Sequence, residues 1–130
     1  MAGMIFTVDL KVASLNTIAR QNRWVYKAAA DEATIAAFAA ITKFKLKPIT
    51  EFPVRVHFHA CWKLKKNRDI DALFCKSILD ALKKKGIIPD DSLKYVSAAL
   101  YTGEIGVGHD QLVVSIERDD GSWYSPPKVI

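Results

Sequence analysis

Four aspartates flank one short stretch of this chain. Asp69 and Asp71 open "RDIDALFCKSILDALKKKGIIPDD", Asp90 and Asp91 close it, and Lys76 lies between them. Carboxylates gathered in one place repel one another and resist ionisation unless a cation sits among them. Hard oxygen donors that leave room for water suit Mg²⁺, with Mn²⁺ as the substitute. Such a site activates water and neutralises charge on a phosphodiester. An ammonium beside it, as Lys76 could supply, holds a phosphate oxygen or stabilises developing charge. The same residues also allow plainer roles. Asp71 can cap a helix and Asp91 can make a turn. Lys76 and Asp80 can form a surface ion pair worth under about 1 kcal/mol.

The element that must position these groups reads as a helix from about residue 72 to residue 85. At 100° per residue, Phe74, Cys75, Ile78, Leu79, Ala81 and Leu82 share one face, with Lys76, Asp80 and Lys83 opposite. Gly86 stands behind Lys83, Lys84 and Lys85, a left-handed stop after a basic last turn. A helix of that length is about 20 Å long. Its two aspartate pairs meet only if the apolar "IIP" segment doubles back along it.

Around this helix the periodicities alternate. Met4 to Val12 repeats every second residue, as does "VRVHFHACWKL" from Val54 to Leu64. In the latter, Val54, Val56, Phe58, Ala60 and Trp62 share one face, while Arg55, His57, His59, Cys61 and Lys63 share the other. The alanine-rich run from Trp24 to Lys43 predicts a second helix. Strands are expected near Tyr95–Tyr101 and Gln111–Glu117, joined as a hairpin by the glycine-rich "TGEIGVGHD". Helices and strands mix without strict alternation. The expectation is α+β, a two-layer domain spanning 1–130 with a small mixed sheet against two main helices.

His57, His59 and Cys61 on one strand face suggest a transition metal. However, strand neighbours two apart stand about 7 Å from each other, too far for easy chelation, so a polar surface is the expectation. "GEIGVG" imitates a phosphate loop but lacks the lysine and the following helix. Cys61 and Cys75 form no C-x-x-C pair, which predicts neither disulfide nor structural zinc. Nineteen Lys and Arg face fourteen Asp and Glu, a net charge of +5 that favours a polyanionic partner. Arg20, Arg23, Lys65, Lys66, Arg68, Lys83, Lys84 and Lys85 are the candidates for phosphate contacts. With no signal-like start and no long apolar run, the expectation is a cytoplasmic protein without a membrane partner.

"RDIDALFCKSILDALKKKGIIPDDSLKYV" resembles the signature of the RusA family, the Holliday-junction resolvases common in prophages: an Asp-x-Asp, a helical lysine, Asp-Ala-Leu, a glycine, and Asp-Asp before a strand. "SLNTIARQNRWVYKAAADE" is similar to the amino-terminal segment of the phage members. The resemblance implies a RusA-like fold and a homodimeric, Mg²⁺-dependent endodeoxyribonuclease acting on branched or four-way DNA in its host's cytoplasm. It also implies that Asp69, Asp71 and Asp91 bind metal, with Asp90 as a neighbour, and that Lys76 is the catalytic lysine. Two positions depart from the pattern. Ala72 stands where the family has Asn, and Lys76 is about one residue further from Asp71, a rotation of about 100° unless the helix starts later. The alternative is a branched-DNA-binding protein of the same fold that has lost catalysis.

Overall fold

A computed structural model describes residues 3–14, 23–70 and 75–121. Four strands and two helices follow in the order β1 (Met4–Val8), α1 (Arg23–Lys43), β2 (Val54–Trp62), α2 (Lys76–Lys84), β3 (Val96–Ile105) and β4 (Gln111–Arg118). They form a small α+β domain, a four-stranded mixed sheet with two helices. No helix among the described residues is long and apolar enough to cross a membrane.

The strand order is β1-β4-β2-β3. β4 lies antiparallel between β1 and β2, and β3 runs parallel to β2 on the outer edge. This corrects the expected hairpin: β3 and β4 are neighbours in sequence but not in the sheet. The reason lies in α2, which returns the chain from the end of β2 to its beginning, so that β3 starts level with Val54 and must run parallel. The glycine-rich segment is also partly strand, because β3 continues through Thr102 to Ile105.

The face of β2 carrying Val54, Val56, Phe58, Ala60 and Trp62 is buried, as the alternation predicts. Phe6, Val8, Leu112, Val114 and Ile116 extend that face across β1 and β4. Both helices cover it. α1 contributes a stripe of small residues, Ala33, Ala37 and Ala40, with Ile41, so its backbone approaches closely. α2 contributes Ser77, Ile78, Ala81 and Leu82. The chain is held at the end of α2 by Gly86, whose φ of 73° is the left-handed conformation expected there. Ile87 and Ile88 then turn inward, both amides donating to the Leu82 carbonyl. β1 ends at Val8 rather than Val12, although Leu10 and Val12 remain buried.

Candidate nucleic-acid and metal site

β2, α2 and β3 form a parallel crossover unit, and the carboxyl ends of its strands are where such units place ligands. Asp69 lies at that end. It lines a cavity of about 240 Å³ with Trp62, Asn67, Arg68, Ile70, Gly103 and Ile105. Trp62 organises the region. Its indole N–H donates to the Val12 carbonyl at 3.0 Å, and the Arg68 guanidinium rests on its ring at 4.7 Å from the centroid. The face of the ring also demands Gly103, since a Cβ there would sit 3.0 Å from Trp62 Cζ3. Arg68 Nε is buried and has no hydrogen-bond partner among the described residues. Beside it a second groove, of about 330 Å³, gathers Lys11, Lys66 and Arg68 with Ser14 and Leu64. Arg68 borders both, so it joins the cavity of the exposed Asp69 carboxylate to a groove that holds two lysines. Lys11 is a member of that groove that charge counting along the sequence passed over, because only the fold brings residue 11 beside residues 66 and 68.

Lys76 is the first residue of α2. The helix starts later than the expected residue 72, which puts the ammonium at its first position. Its side chain is exposed, and its Nζ stands 4.0 Å from Asp80 Oδ2, a loose ion pair at most. No acidic residue occupies the first turn, where the macrodipole favours one. Cys75 takes the N-cap position, without a side-chain capping bond.

Asp90 and Asp91 are elsewhere. The loop after Gly86 does not double back. Ser92, next to Asp91, accepts the amides of Tyr95 and Val96, and the Tyr95 carbonyl accepts the amide of Val54. These bonds fix the second pair at the amino ends of β2 and β3. The register runs from Val54 opposite Val96 to Trp62 opposite Ile105. Eight steps of about 3.3 Å put roughly 26 Å between the two ends. A single Mg²⁺, with oxygens at about 2.1 Å, spans roughly 4 Å between ligands. Within one chain, Asp69 and Asp91 therefore do not share an ion. Lys83 neutralises the second pair, its Nζ lying 3.7 Å from Asp90 Oδ1 and 3.8 Å from Asp91 Oδ1. The Asp90 carboxyl is held below its ordinary range, first by the backbone N–H of Asp91 and also by Ser92 and the charge of Lys83.

The cations divide accordingly. Lys66 and Arg68 sit in the basic groove. Lys65 folds over the turn at Gly106. Arg23 lies against the exposed ring of Trp24 at the start of α1. Lys83 is committed to aspartates, and the Lys85 ammonium rests over Phe38 at 4.6 Å. Lys84, the middle of the basic run, is exposed. Arg20 and Asp71 fall outside the described residues. Among the described residues no three His, Cys, Asp or Glu side chains are placed to share a metal ion. A further groove, of about 910 Å³, is lined by Asp9, Asp31 and Glu32 with Lys43, and shares no residue with these two cavities.

Compared with known proteins, the chain matches no family model and no curated sequence.

Proposed function

We propose that this protein is a divalent-metal-dependent endonuclease of branched DNA, of the RusA type its central motif resembles. The observation that carries the reading is the Asp69 carboxylate at the carboxyl ends of β2 and β3, in a cavity that Arg68 links to the basic groove of Lys11 and Lys66. Isolated basic patches bind DNA and isolated carboxylates repel it; the two together suit hydrolysis of a phosphodiester, where a cation must bind beside the phosphate. Asp69 and Asp71 are the residues that would hold Mg²⁺ or Mn²⁺ at this end. The ion supplies Lewis-acid activation of water and charge neutralisation. The chain's own residues seat the backbone phosphates in the basic groove and place the Lys76 ammonium at a helix start that attracts anions.

Because Asp91 is at the opposite end of its own β2–β3 pair, one chain does not complete the carboxylate set. A homodimer does so if its twofold axis sets the Asp69 end of one copy against the Asp91 end of the other. In that arrangement Lys83 serves as a placeholder cation that Asp90 and Asp91 exchange for metal.

Mixing tests this directly. Asp69→Asn and Asp91→Asn should each abolish junction cleavage in Mg²⁺, by about a hundredfold or more. Co-refolded together, they form mixed dimers in which one of the two composite sites is intact, so a substantial fraction of activity returns. Asp71→Asn should behave as Asp69→Asn, with metal-free DNA binding held or improved. No recovery on mixing places the site within one chain and defeats the composite arrangement. A parent protein that binds four-way junctions and never cuts them favours the second reading, a non-catalytic junction binder, for which the separation of Asp69 from Asp91 already speaks.

A further inference from the structure

The second face of the sheet, which no described helix covers, holds a hydrogen-bonded chain that the nuclease reading does not use. His57 and His59 project from β2, and Thr102 and Glu104 from β3 beside them. Glu104 Oε1 lies 2.9 Å from His59 Nε2. His59 Nδ1 and His57 Nε2 each lie 2.6 Å from one atom, Thr102 Oγ1. Two imidazoles two residues apart on a strand ordinarily stand side by side, pointing outward. Here the rings meet edge to face, at 81° and 6.2 Å between centroids, and a nitrogen of each is aimed at the same point.

Glu104 sets the tautomer. Its carboxylate accepts the Nε2–H of His59, which leaves the lone pair on Nδ1, the nitrogen that faces the convergence point. A carboxylate behind an imidazole in this way is the outer-sphere arrangement that orients metal-ligating histidines and raises their basicity. His57 can reach its lone-pair form at Nε2 by exchanging its proton through water. Burial and the neighbouring His59 hold the His57 pKa below the ordinary value, so this ring is neutral near pH 7. On its far side His57 borders a cavity of about 190 Å³, lined also by Arg55, Leu100, Ser115 and Glu117, which leaves space for water or a small ligand.

We propose that His57 and His59 form a binding site for a divalent transition ion of the zinc, nickel and copper class, with Glu104 as the orienting carboxylate. Imidazole nitrogens select these ions over Mg²⁺. Zinc–nitrogen bonds of about 2.0–2.1 Å require only that the two rings tip inward around the point they already face. Thr102 Oγ1 occupies that point in the metal-free chain and gives up its hydrogen bonds to both rings when the ion enters. Water fills the remaining coordination positions. The site is independent of the aspartates and of the nuclease reading, since it lies on the sheet face opposite the helices and uses nitrogen donors.

Calorimetric titration of the apo protein with Zn²⁺ at pH 7.5 tests it, with folding of every variant checked by circular dichroism. The expected result is saturable binding of one ion per chain, unaffected by millimolar Mg²⁺. His57→Ala and His59→Ala each weaken it at least tenfold. Glu104→Gln weakens it by about tenfold, the loss typical of removing an orienting carboxylate. Asp69→Asn and Asp91→Asn leave it unchanged, which separates this site from the nuclease carboxylates. Affinity falls in acid, because the ion binds only unprotonated imidazole. Absence of saturable Zn²⁺ binding, or binding retained in a folded His57→Ala/His59→Ala variant, overturns the proposal.

Discussion

Lys76 and Cys75, adjacent in sequence, face opposite environments. Lys76 is exposed at the helix start, while the Cys75 thiol is 2% exposed beneath it, and burial pushes its pKa up to about 12. The sign of the consequence follows. In the unfolded chain this thiol ionises near 9, and in the folded protein it stays protonated until far higher pH. The folded state therefore holds a proton that the unfolded state releases. Stability is fully present below pH 9 and is lost as pH rises from 9 toward 12, with on the order of 1 kcal/mol gone by pH 10. Urea midpoints measured at pH 8 and pH 10 should fall less in Cys75→Ala than in the parent; equal falls would place the effect in other groups. At this scale the sequence is legible where a residue type has one habitat: a single cysteine on an apolar helix face is buried. It is less legible at the histidines. A spacing of about 7 Å between strand neighbours argues against their meeting, and Thr102, on another strand, is what draws them together.

At the scale of elements, periodicity marks α1 to within one residue and the buried face of β2 at every position. Alternation and 100° spacing are imposed by the local backbone, so they survive whatever the rest of the chain does. Partner choice does not. The hairpin expected between β3 and β4 fails because a short glycine-rich connection is compatible with pairing but does not compel it, and β3 finds its hydrogen bonds on β2 instead. Gly103 is an element-scale consequence of that pairing. Opposite Ala60, it lets Trp62 lie flat across β3 and so supports Arg68 and the Asp69 cavity. Gly103→Ala forces a buried indole aside, and should lower stability by about 1–3 kcal/mol. It should also weaken metal-free DNA binding, because the platform under Arg68 shifts. Thermal unfolding and a junction-binding titration read the two effects, and a variant as stable as the parent would show that Trp62 yields without cost.

Across the whole molecule, the excess of positive charge is distributed unevenly, and this sets how binding depends on salt. Neutralising Lys11, Lys66 and Arg68 together should flatten the slope of log affinity against log salt by about two to three units, at about 0.9 for each phosphate left without its cation. Neutralising Lys83 and Lys85 should barely change it, since one already serves Asp90 and Asp91 and the other lies over Phe38. Equal slopes in the two variants would remove the groove from the DNA footprint. The amino-acid sequence by itself determined the α+β class, the two helices, the buried and open faces of β2, the stop at Gly86 and the acidic motif, all of which follow from patterns within a few residues. Tertiary structure alone decided the strand order, the alliance of Lys11 with Lys66 and Arg68, the convergence of His57 and His59 on Thr102, and the placing of Asp69 and Asp91 at opposite ends of the sheet. Each of these joins residues distant along the chain, and α2 is rigid: it carries the chain from the carboxyl end of one strand to the amino end of the next, whatever the aspartates at its two ends would favour.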